Sequence, residues 1–229
     1  MKNQRITAII VGFLYIIGTV AGILSVVFTG PVRNASDYFL NLPADQSQLI
    51  LGALFVLIMG LVLAMMPVMM YPLLRKQQPI LALGYVLFRG ALETGTYFLT
   101  VISWLYLLPL SPVYLQAGAS QASQFQALGD ALLEGEATSF LTTIVFILGA
   151  LMFYYALYRS KLVPRWISAW GLLSTIPYIV AGFLVIFKVV GHMSTFDTIL
   201  RLPLALQEMV LAVWLIAKGF NHNSQEQLT

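Results

Sequence analysis

Long apolar stretches alternate with short polar breaks along the whole chain. Six stretches stand out, at about Ile6 to Phe28, Gln48 to Leu74, Ile80 to Tyr106, Ala131 to Tyr158, Ile167 to Val190 and Leu202 to Gly219. Each is long enough as a helix to cross a hydrocarbon core, which takes roughly 20 residues. The expected fold is therefore all-α: one membrane domain over residues 1–229, built as an integral bundle of six transmembrane helices. Every connection is short except "TGPVRNASDYFLNLPADQS" and the stretch from Leu107 to Gly129. In the latter, Ala122, Phe125, Leu128 and Leu132 recur near helical spacing among Gln, Ser and Asp. This fits either an amphipathic helix on the outer surface or an early start of the fourth span.

Within the spans, "MMPVMMYPLL" places Pro67 and Pro72 among four methionines. Such a stretch lines an adaptable surface in some proteins and is a tolerated kink with flexible packing in more of them. "GTVAG", Gly18 to Gly22, has the spacing of small residues that lets two membrane helices approach closely.

Composition agrees with the pattern. Charged residues make up 9% of the chain, where a soluble domain carries about 25%. Lys2 and Arg5 precede the first span, but its apolar run exceeds a signal peptide's 7 to 15 residues and no A-x-A site closes it, so it reads as a retained helix. With the N-terminus inside, eight basic residues fall on the cytoplasmic side (Lys2, Arg5, Arg75, Lys76, Arg159, Lys161, Arg165, Lys218) and three on the outer side (Arg33, Lys188, Arg201). The positive-inside rule then puts both termini in the cytoplasm. The bases are thinly spread, which disfavours a nucleic-acid partner. Zero cysteines exclude disulfides, thiolate metal sites and cysteine nucleophiles.

"SKLVPRWISAWGLL" (Ser160 to Leu173) and "LPLALQEMVLAVWLIAKGF" (Leu202 to Phe220) resemble a bacterial membrane family, domain of unknown function 4386. "RITAIIVGFLYIIGTVAGILS" and "YVLFRGALE" are similar to the same family, so the likeness covers nearly the whole chain. It implies a multi-pass protein of the bacterial inner membrane and supplies no catalytic residue.

The candidate site comes from charges in the wrong place. Arg89 and Glu93 lie one turn apart in the third span, and Thr96, Thr100 and Ser103 continue the same helical face, flanked by Tyr97 and Gly90. At about 1.5 Å per residue, Arg89 lies near ~13 Å from the inner boundary and Glu93 near ~20 Å. Glu208, counted from an outer helix end near Leu202, lies ~9 Å from the outer boundary and ~21 Å from the inner one, level with Glu93. The fourth span begins nearby with Glu134, Glu136, Thr138, Ser139, Thr142 and Thr143, and Gln207 belongs to the last span. These positions predict a polar layer built by the third, fourth and sixth spans, with Arg89, Glu93, Thr96, Glu136, Gln207 and Glu208 as ligand or proton-binding candidates. Arg201 is close enough to the outer interface to snorkel. Each charge at a helix centre costs roughly 2.5 to 3.5 kcal/mol on the lenient insertion scale, so pairing is nearly obligatory. Arg89 can satisfy one carboxylate by a bidentate contact, leaving the second to share the guanidinium or take a proton.

Other chemistry has little support. The two histidines, His192 and His222, sit in an outer loop and the C-terminal tail, so neither a metal site nor a histidine relay is expected. Arg89 in the layer argues against a cation held by Glu93, Glu136 and Glu208. "EGEATSF" faintly resembles intramembrane glutamate proteases but lacks their metal-binding histidines. No cofactor is expected, and an intramembrane enzyme is the least supported class. Two readings stand: a small carrier or binder of an amphipathic solute or lipid using the Arg/Glu cluster, and a non-catalytic accessory or regulatory protein whose buried charges clamp the third, fourth and sixth spans. An inverted repeat of two three-helix halves would give each half a deep glutamate, although the halves align poorly.

Overall fold

The computed structural model describes residues 2–35, 37–117 and 119–221. His222 lies outside the described residues, as does the side chain of Glu134. The chain forms α1 (Lys2–Asn34), α2 (Tyr38–Leu74), α3 (Pro79–Tyr85), a π-helical turn (Val86–Leu92), α4 (Glu93–Gln116), α5 (Ala119–Glu134), α6 (Glu136–Ser160), α7 (Arg165–Ile186) and α8 (Thr195–Ala217), with no strand among the described residues. Because α3, the π turn and α4 run on without a break, six helical runs are long and apolar enough to span a membrane.

These runs form a ring in chain order. α1 packs on α2, α2 on α4, α4 on α6, α6 on α7, α7 on α8, and α8 returns to α1. The outside of the ring is apolar: Phe13, Ile17, Val20 and Val27 on α1, Leu61 and Val68 on α2, and Leu173, Ile176 and Val180 on α7 are all exposed. Water would not tolerate such continuous stripes, whereas lipid tails solvate them. Both ends of the ring's closing pair lie together, since the Arg5 guanidinium donates to the carbonyls of Leu215 (3.2 Å), Ile216 (2.7 Å) and Ala217 (3.3 Å). A cation there satisfies the last carbonyls of α8 and complements its negative end. We call this the near end, and the opposite one, where α5 lies, the far end.

Near-end helix limits agree closely with those read from the sequence, and far-end limits do not. α1 continues to Asn34, α2 begins at Tyr38 rather than Gln48, α4 runs to Gln116 rather than Tyr106, and α8 begins at Thr195 rather than Leu202. A helix needs its backbone satisfied, not an apolar exterior, so it continues into water until a cap ends it. Asp37 caps α2 by accepting the Leu40 N–H (3.3 Å), and Ser194 caps α8 by accepting the Asp197 N–H (3.3 Å). The 33 residues of α1 make about 50 Å of helix against a core of about 30 Å.

The fourth span is also divided. Gly135 adopts a left-handed conformation (φ 59°) that separates α5 from α6, which glycine does without a Cβ penalty. α5 is thus a separate helix that packs on protein: the Trp104 indole N–H donates to the Leu133 carbonyl (3.2 Å) and the Tyr38 hydroxyl to Asp130 Oδ1 (3.0 Å). Leu133 joins Phe39, Leu42, Leu49 and Leu107 in a far-end apolar cluster. A larger near-end cluster holds Met66 and Met70, both fully buried, while Met65 and Val68 of the same stretch are exposed, so one face of the Met-Pro stretch is interior packing and the other faces outward. Gly18 and Gly22 of "GTVAG" face Leu63 and Met59 of α2, with the close packing their spacing predicts.

Candidate functional site

The site is organised around the π turn. The Glu93 N–H donates to the carbonyl of Phe88, five residues back, so the chain carries an extra residue in this turn, a distortion frequent at functional positions. It presents Arg89 to the bundle axis, and α6 comes close enough to hold it because position 149 is glycine. A Cβ there would lie 3.0 Å from the Arg89 backbone N and 3.2 Å from its Cβ.

Arg89 is then enclosed on every side. Its Nη1 donates to both oxygens of Glu93 (3.0 and 3.1 Å), its Nη2 donates to Glu208 Oε1 (3.3 Å), and its guanidinium lies 4.5 Å from the ring centroid of Phe146. The Tyr97 hydroxyl in turn holds Glu93, donating to its Oε1 at 2.7 Å. Arg89 is 4% exposed and Glu93 0%. Tyr15, Tyr85 and Tyr154 pack around Arg89 and Glu208 with no room for a water molecule between them, and Glu208 keeps 17% of its side chain exposed. Charge-assisted contacts of this kind are strong, and a buried charge survives only with such pairing.

On the far-end side of Tyr97 a partly open cavity of about 400 Å³ occupies the middle of the ring. Its polar wall includes Thr100 and Ser103 of α4, Thr142 and Thr143 of α6, and Tyr178 of α7, while Val26, Val56, Met59 and Leu202 make it apolar elsewhere. Several hydroxyls are already bonded along their own helices, as Thr100 to the Thr96 carbonyl (3.2 Å) and Thr142 to the Thr138 carbonyl (2.8 Å), which leaves their lone pairs as acceptors. Arg201 also lines the cavity. Its Nε donates to Asp197 Oδ1 (2.7 Å), its Nη1 to Thr143 Oγ1 (3.1 Å), and it lies 4.7 Å from the Tyr178 ring centroid. The cavity floor therefore stops one hydrogen bond, Tyr97 to Glu93, short of the triad.

Of the expected layer, Arg89, Glu93 and Glu208 come together. The depth of Glu208 needs correction: α8 begins at Thr195, so Glu208 lies about 20 Å along it and about 13 Å from its near end. That places it level with Arg89, its partner, rather than with Glu93. Thr96 is buried but outside the site, its hydroxyl donating to the Glu93 backbone carbonyl (2.7 Å), and Tyr97, one position on, takes the place foreseen for it. Gln207 points away from Glu208, about 100° around the helix, and its Nε2 donates to the Ile167 carbonyl of α7 (3.0 Å). Glu136 is not in the layer either. It opens α6, about 15 Å above Phe146, and its Oε2 lies 3.7 Å from Nζ of the exposed Lys188. The fourth span, α6, thus contributes a ring and a glycine where a carboxylate was expected. Phe146, Gly149 and the Asp197–Arg201 pair were missed, although the four-residue spacing of the last is a readable signal.

The family described as "Domain of unknown function (DUF4386)" matches residues 10–219, so the chain belongs to that family. No curated protein and no solved structure matches the chain.

Proposed function

We propose that this family member is a plasma-membrane binder, and in its mobile form a carrier, of a small amphipathic solute or lipid held in the central cavity. The observation that carries this is the cavity: about 400 Å³ in the middle of the ring, within the size range of small-molecule sites, with apolar walls and a few placed polar groups. Its floor is joined to the triad through Tyr97, so a change at the ligand has a direct route to Glu93. The excess of Lys and Arg at the near end supports a cytoplasmic placing of both termini, with the cavity facing the outer side of a bacterial inner membrane.

The test is the set of small molecules that co-purify in gentle detergent, compared by mass spectrometry with a Thr142→Trp variant whose indole fills the cavity. An amphiphile present in the parent and depleted at least tenfold in the variant supports the reading; identical profiles refute it. The second reading, a non-transporting accessory protein, is favoured by the closure of the triad, where every group has a partner. Glu208→Gln separates the two: a folded protein that binds ligand but no longer moves it in liposomes supports the carrier, and a collapsed bundle supports the clamp.

A further inference from the structure

The donors of Arg201 are unequally used. Nε serves Asp197 and Nη1 serves Thr143, and the Tyr178 hydroxyl also interacts with the guanidinium, while Nη2 is covered by protein and makes no hydrogen bond of regular geometry among the described residues. Buried donors are paired in all but a few cases, and an unpaired one is costly, the more so when charged. Asp197 does not reach it: Oδ1 is taken up with Nε and the other oxygen is turned to the Met193 N–H (3.1 Å). Thr143 Oγ1 already donates to the Ser139 carbonyl (2.9 Å) as well as accepting from Arg201. The guanidinium is thus a fork with one prong unmatched, on a side chain that lines the cavity.

Guanidinium forks match oxyanions, carboxylate and phosphate above all, because two parallel N–H bonds meet two oxygens. Elsewhere in the lining, Val26 of α1 and Val56 and Met59 of α2 give an alkyl chain a surface to bury, while Ser25 and Arg33 of α1 border the same cavity. Taking the cavity as a binding site, as proposed above, we infer that its ligand is an anionic amphiphile: a carboxylate or phosphate head received by Arg201, with a short apolar body against α1 and α2. Binding supplies the acceptor that Nη2 lacks, the side chain turning into the cavity it already borders.

Equilibrium dialysis of the full-length protein in nanodiscs, net of protein-free discs, tests this with radiolabelled decanoate against decanol, which has the same chain and no charge. The expected result is a preference for decanoate of about 10- to 100-fold, the worth of one charge-assisted bond. Decyl phosphate should compete with it. Inorganic phosphate should not compete at matched concentration; if it does, the ligand is a free oxyanion and the apolar half of the inference is wrong. In Arg201→Gln/Asp197→Asn, which removes both charges together and strands neither, decanoate should fall to the level of decanol. Arg201→Lys, which keeps the charge and loses the fork, should retain part of the preference and shows that lost binding is not lost folding. Equal binding of decanoate and decanol by the parent, or an undiminished preference in the double variant, overturns the anionic head and leaves the cavity as a binding site. If neither compound binds, the binding-site reading fails with it.

Discussion

Arg89 and Arg201 are built from the same parts and end in different states. Each has a carboxylate four residues away on its own helix, Glu93 after one and Asp197 before the other, and each lies against an aromatic face, Phe146 at 4.5 Å and Tyr178 at 4.7 Å. The two rings touch, with centroids 4.8 Å apart. What separates them is the number of acceptors. Arg89 has a second carboxylate, Glu208, from another helix, and is closed; Arg201 has a threonine hydroxyl in that place and borders the cavity. A guanidinium with two carboxylates holds helices together, and one with a single carboxylate keeps capacity for a partner.

The sharpest break in this comparison is Arg89→Gln. It leaves two carboxylates without their cation, and thermal unfolding in detergent should show a loss of about 3–5 kcal/mol or failure to accumulate. Gly149→Ala comes next. Alanine is ordinarily favoured in a helix by up to about 1 kcal/mol, but here its Cβ meets the Arg89 backbone, so a net loss of about 1–2 kcal/mol is expected by the same measurement. A stabilised Gly149→Ala would show that α6 does not hold the π turn. Arg201→Gln should cost about 1–2 kcal/mol, because Asp197 keeps its backbone donor; a loss equal to that of Arg89→Gln would erase the distinction between the two arginines. Smallest is Thr96→Val, which removes a hydroxyl bonded along its own helix. Less than about 1 kcal/mol is expected, with ligand retention unchanged in the co-purification assay.

The six spans, the near-end limits and the pairing of Arg89 with Glu93 were legible because each rests on local signals: apolar run length, basic loops, a four-residue spacing. Glu208 was reached by a depth count that put it level with Glu93, joined to the cost of an unpaired membrane carboxylate; the longer α8 moves it to the level of Arg89 and keeps the two together. The π turn was not legible, because it depends on Gly149, about sixty positions away, accepting the displaced backbone. Glu136 was misplaced for a related reason. Depth was counted from apolar limits, while the helices continue past them and α6 starts afresh at Gly135. Tyr97 over Thr96 was a choice between adjacent positions on one face that only the packed neighbours could settle.

α1 and α8 are neighbours around the ring but not consecutive, so their shared boundary is one that no loop bridges. Arg5 rivets it at the near end, and a Cβ on Gly12 would lie 2.7 Å from the Ala212 carbonyl, so its lower part is shut tight. Higher up, Gly22 and Val26 on one lip and Leu202 and Ala205 on the other both border the cavity. Mechanically the molecule is a slit sleeve, pinned at the foot and backed by the cavity at the collar. Parting that slit opens the cavity sideways to the bilayer without moving a loop or breaking the ion triad below it.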